Sequence, residues 1–487
     1  MIRRNIWFKT LTLFLVETGI AFSVILLGLY IRFPKYLGSI LIDQRGIYKI
    51  VLTTLVCQFI FYLFDLYDIS KPRLRRELLT DIFQAVGVVL LILGLTFMLR
   101  PTLLLGYEQE IEGVGIARTG NGVPIIALIL ALLLMTLWRL GIHWVMRNPK
   151  LGDWILVVGT DKLAREVAHE AMLRRDLGYK VAGYVAEDTS LVGTELVSES
   201  QSPNNGPIVF SRKVLGAVSD LNRIVQEQKI DRVVVALQDR RGRMPVDQLL
   251  KIRLQGQAAI EEGTALYEKL TGKINVEMLR PSWIIFSGGG KRSTFWGVIR
   301  RLFNLLVALI AILVSLPIAL LAAIVIKLDS PGPIFYTQER VGKNGRTFKI
   351  IKFRSMRQDA EKDGAQWAAE RDPRITRVGN FLRKTRIDEI PQFFNILVGE
   401  MSFVGPRAER PVFVEQLTEQ IPFYSQRHLV EPGLTGWAQV NYGYGSSVED
   451  AVQKLQYDLY YIKNVSLLFD IWIMFKTIKV VLFGYGR

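Results

Sequence analysis

The chain has 487 residues, half of them hydrophobic, and a formal net charge of +16, with a mean hydropathy of +0.25. This composition excludes an ordinary soluble enzyme and a disordered tail, and it predicts that part of the chain lies in lipid. A single cysteine, Cys57, excludes an internal disulfide framework. His143, His169 and His428 have no partners at metal-ligand spacing, so a zinc enzyme is not predicted. The basic excess beside long apolar runs indicates anionic lipid headgroups and phosphorylated substrates rather than nucleic acid.

Apolar runs near the N-terminus approach the roughly 20 residues needed to cross a bilayer. They cover residues 7–31, 48–66, 82–99 and 123–145. Glu17 interrupts the first run, and no small-residue cleavage site follows it, so we interpret this run as a retained helix rather than a signal peptide. The sequence predicts a four-helix transmembrane region over residues 1–150. Buried helices of a soluble domain are the alternative.

Lysine and arginine in short loops predict the orientation of the spans. The third loop carries Glu108, Glu110 and Glu112 with only Arg118, which suits the outer face, whereas the first loop, with Arg32, Lys35 and Arg45, disagrees with this topology. The residues that mark cytoplasmic sides are Arg3, Arg4, Lys71, Arg73, Arg75, Arg76, Arg139, Arg147 and Lys150. We therefore expect the chain to return to the cytoplasm near residue 150.

A fifth apolar stretch, residues 303–326, contains no charged residue. Basic residues lie on both sides of it: Lys291, Arg292, Arg300 and Arg301 before, and Lys327, Arg340, Lys343, Arg346 and Lys349 after. A crossing would place one basic cluster outside, and Pro317, two residues after Ser315, removes a helical hydrogen bond at mid-stretch. We predict a re-entrant hairpin helix, kinked at Ser315 and Pro317, that enters and leaves on the cytoplasmic face. A fifth full span with an ordinary proline kink is the alternative.

Short apolar runs alternate with helical ones over residues 151–280, which predicts a parallel, Rossmann-like α/β domain. Strands are expected at 154–159, 181–186 and 232–237, helices at 161–175, 218–228 and 245–255, and a flexible loop at 192–207. The first turn, residues 159–164, reads Gly-Thr-Asp-Lys-Leu-Ala and lacks two glycines of the dinucleotide-binding fingerprint. A regulatory or assembly role is therefore favoured over a dinucleotide-dependent dehydratase or reductase, whose Tyr-x-x-x-Lys pattern occurs only at Tyr67–Lys71.

Chemically active residues are dense in the last third, 281–487. Asp388 and Glu389 stand side by side near Arg383, Arg386 and Arg407. Because proline is tolerated in the first turn of a helix, Pro391 places a helix start near Asp388, and an N-cap role for Asp388 is one interpretation. The other is catalysis, in which one carboxylate attacks phosphorus while its neighbour holds a divalent cation. These residues alone favour neither.

Several motifs, in a fixed order along the chain, favour the catalytic interpretation of Asp388 over the N-cap interpretation. They are the proline-containing apolar helix, Ser-Pro-Gly-Pro-Ile-Phe at 330–335, Lys-Phe-Arg-Ser-Met at 352–356, Asp-Glu-Ile-Pro-Gln at 388–392, Gly-Pro-Arg at 405–407 and Pro-Gly-Leu-Thr-Gly-Trp-Ala-Gln-Val-Asn at 432–441. In these motifs the last third resembles the bacterial sugar transferase family, polyprenyl-phosphate sugar-1-phosphate transferases that begin exopolysaccharide, O-antigen or capsule synthesis. Residues 267–273 and 281–286 resemble exopolysaccharide-associated members. The N-terminal spans and the middle domain resemble the long form of the family.

The resemblance implies that Asp388 attacks the sugar-linked phosphorus of a UDP-sugar and releases UMP, and that polyprenyl phosphate then attacks the aspartyl phosphosugar. It implies Glu389 as a Mg²⁺ ligand and Arg407 as a phosphate clamp. Arg383, Lys352 and Arg354 are further phosphate-binding candidates, although a solvated strand face would give Lys352 and Arg354 the same pattern. It also implies a multi-pass protein of the bacterial inner membrane, catalytic on the cytoplasmic face. The oligomeric state is left open, and the middle domain is the part that could support a homodimer. The identity of the sugar is left open, and a non-catalytic assembly regulator is the remaining alternative.

Three details were open. Ala408 follows Gly-Pro-Arg where the family usually has proline, which loosens the predicted turn. Trp437 is expected in the core rather than on a uracil ring. Residues 467–483 suit either an interfacial amphipathic helix or a packed one. The predicted fold class is a membrane protein with a four-helix transmembrane bundle, a Rossmann-like middle domain and a C-terminal α/β catalytic domain that carries a re-entrant helix.

Overall fold

The computed structural model divides the chain into two compact units, Met1–Leu270 and Thr271–Arg487. It describes residues 2–32, 34, 37–42, 45–64, 66–67, 75–99, 109–111, 115–117, 122–147, 152–174, 178–202, 206–237, 244–279, 294–357, 360, 372–443, 445 and 447–483. The predicted domain boundaries near 150 and 280, the motif at 281–286, and Lys291 and Arg292 lie outside the described residues.

Long apolar helices form the first part of the N-terminal unit. They are α1 Ile2–Arg32, α2 Leu37–Ile42, α3 Gly46–Leu63, α4 Arg75–Leu99 and α5 Gly122–Arg147, with a short β1 Gln109–Ile111 and β2 Gly115–Ala117 hairpin before α5. Apolar segments long enough to span a bilayer lie in α1, α3 and α4, and a shorter one, Ile129–Gly141, lies in α5. Leu27, Leu91 and Leu133 are more than half exposed, while Phe61 and Met135 are buried between helices. The helices thus present apolar side chains outward as well as inward, as a membrane bundle does.

A charged pair is buried inside this bundle. The Arg139 guanidinium contacts both carboxylate oxygens of Glu17, with Nε 2.6 Å from Oε1 and Nη2 2.7 Å from Oε2. The Tyr67 hydroxyl donates to Glu17 Oε2 at 2.6 Å, and Arg139 Nη1 donates to the Leu66 carbonyl at 2.6 Å. Arg139 therefore lies inside the bundle, neutralised by an acid, so its use as a marker of a cytoplasmic loop is wrong.

The rest of this unit is an α/β domain. Its elements are β3 Asp153–Val158, α6 Lys162–Leu173, β4 Tyr179–Ala186, β5 Glu195–Ser202, β6 Gly206–Ala217, α7 Leu221–Glu227, β7 Arg232–Val235, α8 Val246–Leu254, β8 Ala259–Glu262 and α9 Gly263–Thr271. The sheet has the order β5-β6-β4-β3-β7-β8, parallel except for β5, which pairs antiparallel with β6. The buried core strands β3 and β7 carry the continuous apolar runs from which they were predicted.

Of two local predictions for this domain, one is wrong and one is confirmed. The predicted flexible loop at 192–207 is wrong: most of it belongs to the β5–β6 hairpin, in which the serine-rich strand pairs with β6 along its whole length. Gly159 occupies the first turn as expected, with φ +121°, and a Cβ there would meet the Ala236 carbonyl oxygen at 2.7 Å. Glycine is therefore required at this turn because two strand ends approach closely.

The second unit contains a 3₁₀ turn Val276–Met278, then α10 Thr294–Asp329 and a hairpin of β9 Phe335–Val341 and β10 Thr347–Phe353. Then follow α11 Arg377–Lys384, a 3₁₀ turn Ile387–Glu389, α12 Gln392–Val398 and β11 Ser402–Val404, which pairs in parallel with β12 Gly433–Thr435. The remaining elements are α13 Pro411–Gln420, a 3₁₀ turn Tyr424–Leu429, α14 Trp437–Asn441, α15 Val448–Lys463 and α16 Leu467–Phe483.

Helix α10 is one helix of 36 residues that continues through Pro317. Ser315 Oγ donates to the Ile312 carbonyl at 3.4 Å, one turn before the proline. Near the start of α10, Asn304 donates to Ser402 Oγ at 3.0 Å, and near its end Ala322 and Ile326 pack against Phe353 and Leu382. Both ends of the apolar helix therefore contact the same unit, while its middle is exposed.

Candidate active site

The acid pair lies in the 3₁₀ turn between α11 and α12. Helix α12 begins only at Gln392, with Pro391 at its N-cap, so the interpretation of Asp388 as a helix N-cap is wrong. Asp388 and Glu389 are 7% and 9% exposed. Asp388 Oδ1 is buried, and among the described residues it has no hydrogen-bond partner. A buried carboxylate oxygen without a donor is costly in free energy and uncommon, which marks this atom for a function.

Three cations converge on one oxygen of Glu389. Arg407 Nη2 lies 3.2 Å from Glu389 Oε1, Lys352 Nζ 3.5 Å and Arg386 Nη1 3.7 Å. Lys352 comes from strand β10 and Arg407 from the loop after β11, so the turn brings together distant parts of the chain. The site carries more positive than negative charge, as a site for a phosphorylated ligand requires.

The environment shifts the pKa values of the two carboxyl groups in opposite directions. Burial, and then the charge of Glu389, raise the pKa of Asp388 above its ordinary value, against the effect of Lys352. Burial also opposes ionisation of Glu389, but Lys352, Arg407 and Arg386 outweigh it and hold the pKa of Glu389 well below its usual range. Burial lowers the pKa of Lys352. Neighbouring acids with opposite shifts are typical of sites in which they have different roles.

The glycine motifs position Arg407. A Cβ on Gly405 would meet the Glu431 carbonyl oxygen at 2.3 Å, and one on Gly433 would meet the Gly405 nitrogen at 2.1 Å. The Gly405 amide donates to the Thr435 carbonyl and the Gly433 amide to the Pro406 carbonyl, each at 2.9 Å. Gly-Pro-Arg and Pro-Gly-Leu-Thr-Gly thus lie backbone to backbone, which explains their small residues and fixes the start of the Arg407 loop.

The other predicted phosphate-binding residues, Arg383, Arg354 and Lys352, differ in what their side chains contact. Arg383 lies in the last turn of α11, and its Nε donates to Ser355 Oγ at 3.0 Å. Arg354 is buried and donates to the carbonyls of Ser330 and Pro331 at 2.7 and 2.8 Å. Its guanidinium therefore anchors the Ser-Pro-Gly-Pro turn after α10 in this structure, while Lys352, two residues earlier in the chain, contacts the acid pair.

Arg427 supports Arg407 and was missed in the sequence. Its Nη2 donates to the Arg407 carbonyl at 3.1 Å and to Asp458 Oδ2 at 2.9 Å, and its Nη1 donates to the Tyr424 hydroxyl. No local pattern marks this residue, because its acidic partner lies on a different helix. These buried hydrogen bonds hold the backbone of the Arg407 loop.

A shallow recess beside the acid pair contains two further residues that sequence reasoning missed. It is lined by Arg340, Ile350, Lys352, Gln392, Met401, Arg407, Ala408, Gly433 and Leu434. Arg340 Nη1 donates to the Ala408 carbonyl at 3.0 Å, and Gln392 is 3% exposed. Gln392 follows Asp388 by four residues within the same motif, which is the signal that would have found it.

Trp437 is partly buried and packs against the core, in agreement with the core position predicted for it. Its indole nitrogen donates to the Gly272 carbonyl at 2.9 Å, and its ring stacks on Tyr460 with 6.2 Å between centroids. Helix α16 contributes Phe469, 5.1 Å from the Trp437 ring centre, and the buried Ile473. The helix therefore packs through one face, while Leu468 and Phe475 on it are at least half exposed.

Comparison with known proteins places this geometry in a family. The family model of bacterial sugar transferases matches residues 295–484. A UDP-N-acetylgalactosamine-undecaprenyl-phosphate N-acetylgalactosaminephosphotransferase of Aeromonas hydrophila is 48% identical over 219 residues, 45% of this chain and 51% of that protein. A UDP-glucose:undecaprenyl-phosphate glucose-1-phosphate transferase of Xanthomonas campestris pv. campestris is 34% identical over 62% of this chain and 64% of that protein.

The coverage of these relatives is unequal. The chain spans about half the length of the Aeromonas protein. The exopolysaccharide production protein PSS of Rhizobium leguminosarum bv. phaseoli is 42% identical over 190 residues, which are 37% of this chain and 94% of that protein. A stretch of about 190 residues of this chain thus matches nearly all of a relative. The chain belongs to the bacterial sugar transferase family.

Proposed function

We propose that the protein transfers a sugar 1-phosphate from a UDP-sugar to undecaprenyl phosphate and releases UMP, as the first membrane step of exopolysaccharide or O-antigen synthesis. The names of two relatives supply the substrate class, an undecaprenyl phosphate acceptor and a UDP-sugar donor. The observation that carries the proposal is the buried Asp388 Oδ1, which has no hydrogen-bond partner among the described residues and lies beside Glu389 and an excess of cations. This is the arrangement of a carboxylate nucleophile facing a phosphorylated substrate.

The reaction proceeds in two balanced steps. Asp388 Oδ1 forms a bond to the sugar-linked phosphorus, the bond from that phosphorus to the oxygen of the UMP phosphate breaks, and UMP leaves with the electron pair. A phosphate oxygen of undecaprenyl phosphate then attacks the same phosphorus, and the Asp388 carboxylate is released. The products are UMP and undecaprenyl diphosphate sugar, and the enzyme returns to its starting state.

The surrounding cations stabilise charge that develops during the first step. Lys352 and Arg407 are the nearest cations to the acid pair and would bind phosphate oxygens in place of Glu389 when the donor enters. Arg427 and the glycine motifs act as positioning groups, since they hold the Arg407 loop. Preorganised cations of this kind supply a large share of catalysis in phosphoryl transfer, in which the protein mainly positions and neutralises charge.

A magnesium ion fits this site when it is shared with substrate. Mg²⁺ is commonly held by one or two carboxylates together with substrate phosphates. Glu389 provides one such carboxylate beside the nucleophile, and among the described residues no group of three or more metal-ligating side chains occurs. Bound there, the ion would neutralise diphosphate charge. Activity is expected to vanish with excess EDTA and to return with added Mg²⁺.

Helix α10 is proposed to be re-entrant, with both ends on the cytoplasmic face of the inner membrane. Support comes from its two ends, since Asn304 and Ile326 both contact the catalytic unit while Val314 between them is 71% exposed. A full crossing would separate these two contacts by a bilayer. Cysteines introduced at residues 297 and 328, with Cys57 replaced, should both be labelled from the cytoplasmic side only. Labelling of one of them from the outer side would establish a span.

The middle domain is proposed to be Rossmann-like and regulatory. Its strand order has a switch point at β3, where β4 lies on one side and β7 on the other. Asp161 and Ala164 stand where the dinucleotide fingerprint that begins at Gly159 needs its second and third glycines. Equilibrium dialysis with radiolabelled NAD⁺ and NADP⁺ is expected to show no binding, and stoichiometric binding would favour the dehydratase or reductase alternative.

The decisive experiment incubates membranes with radiolabelled UDP-sugars, Mg²⁺ and undecaprenyl phosphate. The native chain should produce lipid-linked label and UMP, and Asp388→Asn should lose both by at least about a thousandfold because it lacks the nucleophile. Asp247→Asn is the matched control, an exposed aspartate of α8 in the other unit, and should keep full activity. Release of UDP instead of UMP would refute the reaction class, and an active Asp388→Asn would refute the nucleophile.

A further inference from the structure

Arg386 adopts an unusual backbone conformation immediately before the acid pair. Its φ and ψ are 59° and 15°, in the left-handed region, where residues with a Cβ are disfavoured and glycine or asparagine is preferred. The turn itself needs only that conformation, since the Arg386 amide donates to the Arg383 carbonyl and the Arg386 carbonyl accepts from the Glu389 amide. Glycine would form the same turn at lower cost, so the arginine side chain must be explained separately.

Arg386 is the most distant of the three cations around Glu389 Oε1. Arg407 and Lys352 already contact the same carboxylate oxygen at shorter distances, 3.2 and 3.5 Å against 3.7 Å for Arg386. At 3.7 Å the Arg386 guanidinium is beyond hydrogen-bond range of Glu389. Across the part of the chain that the structure describes, no other carboxylate forms an ion pair with it. Most of its N–H donors thus remain available for a ligand.

The three cations around Glu389 differ in how far their side chains are exposed to solvent. The Lys352 side chain is 19% exposed, whereas those of Arg386 and Arg407 are 39% and 40% exposed. The phosphorus that is transferred must lie at the buried Asp388 Oδ1. The other phosphate of the diphosphate belongs to the leaving group, which has to return to solvent, so it lies on the exposed side of the acid pair.

We propose that Arg386 binds the phosphate of the departing nucleoside monophosphate. Its left-handed backbone projects a guanidinium from the same turn that carries the nucleophile, so donor and nucleophile are positioned together. Charge builds up on this phosphate as its bond to the transferred phosphorus breaks, and a planar guanidinium with several free donors stabilises it. The inference rests on the proposed transferase function and adds a residue to it.

The test compares the full chain with Arg386→Asn in detergent. Asparagine tolerates the left-handed conformation, so the turn is kept while the charge is lost. We expect kcat/KM for the UDP-sugar to fall by roughly ten- to a hundredfold, the loss typical of one charge-assisted phosphate contact. Inhibition by UMP should weaken by a similar factor, inhibition by uridine should not change, and Arg386→Lys should recover part of the activity.

The matched control is Lys229→Asn, which removes another cation from a left-handed position, φ 49°, in the other unit. It should leave kcat/KM and UMP inhibition unchanged. The unfolding temperatures of both variants should equal or exceed that of the native chain, since each relieves backbone strain.

Two results for Arg386→Asn would overturn the inference. Unchanged UMP inhibition in Arg386→Asn overturns the inference, as does a lower unfolding temperature with equal losses for UMP and uridine, which would indicate a structural role. If the native chain releases no UMP from any UDP-sugar, the proposed function itself is refuted. That result is obtained without the Arg386 variant, so the two failures can be distinguished.

Discussion

Two buried carboxylate clusters in this protein have opposite designs. In the membrane helices Glu17 and Arg139 are matched one to one, both carboxylate oxygens are contacted, and the two side chains are 0% and 4% exposed. In the catalytic unit three cations surround Glu389 Oε1, Asp388 Oδ1 has no hydrogen-bond partner among the described residues, and both arginines are about 40% exposed. The two clusters therefore contain the same residue types, acids and arginines, but differ in charge balance and exposure.

The difference between them shows how a buried ionic cluster can be interpreted. Desolvated charges are stabilised only when each has its partner, so a complete and sealed pair has no capacity left for a ligand. A cluster with surplus charge, an unpaired oxygen and an open side is stabilised further by an incoming anion. Balance and exposure, rather than the presence of charge, distinguish a structural pair from a binding site.

The largest effect on stability is expected from breaking the sealed pair. Arg139→Leu leaves the buried Glu17 carboxylate without its cation, with only the Tyr67 hydroxyl as a donor, which should reduce the free energy of unfolding by about 3–5 kcal/mol. The double variant Glu17→Leu/Arg139→Leu removes both charges and should recover most of that loss. Thermal unfolding in detergent measures both variants.

The open cluster provides the contrasting variant. Arg407→Leu removes a half-exposed cation, so the free energy of unfolding should change by only about 1 kcal/mol, while UMP release falls by at least about a hundredfold. Equal destabilisation by Arg139→Leu and Arg407→Leu would contradict the distinction between the two clusters.

The next effect concerns the pH dependence of the open cluster. Asp388 attacks only as a carboxylate, so kcat/KM should fall as the pH is lowered through the pKa of Asp388, which burial and Glu389 raise. Lys352 lowers that pKa, so in Lys352→Gln the acid limb of the pH profile should move to higher pH. Lys349→Gln, on the opposite face of β10, is the control and should leave the limb in place.

Steady-state rates of UMP release between pH 4 and 9 would measure this shift, at roughly unit intervals or finer. A limb that moves to lower pH in Lys352→Gln, or moves equally in both variants, would show that Lys352 does not act on the Asp388 carboxyl group.

The sequence predicted what depends on local pattern. The apolar runs became helices, the apolar run at Trp154 became strand β3, and Asp388, Glu389, Lys352 and Arg407 come together as the motifs suggested. Hydrophobic periodicity and motif identity are properties of neighbouring residues, so they can be recognised without the fold.

Long-range pairing could not be predicted. Arg139 was interpreted as a loop charge because its partner Glu17 is 122 residues away, and Arg427 was missed because Asp458 lies 31 residues later on another helix. Arg354 has the same local character as Lys352, and only the fold shows that its guanidinium reaches Ser330. The β5–β6 hairpin was missed because cross-strand pairing, rather than strand propensity, stabilises its serine-rich strand.

The smallest effect is expected at Trp437, whose packing can be separated from substrate binding. Trp437→Phe removes the hydrogen bond to the Gly272 carbonyl but keeps an aromatic ring against Tyr460 and Phe469. The free energy of unfolding should fall by about 1 kcal/mol, the usual net value of one such bond. KM for the UDP-sugar should stay within about twofold, since a core side chain makes no contact with the donor. A KM that rises with no loss of stability would instead assign the indole ring to the nucleotide, and the open cluster would then extend to α14.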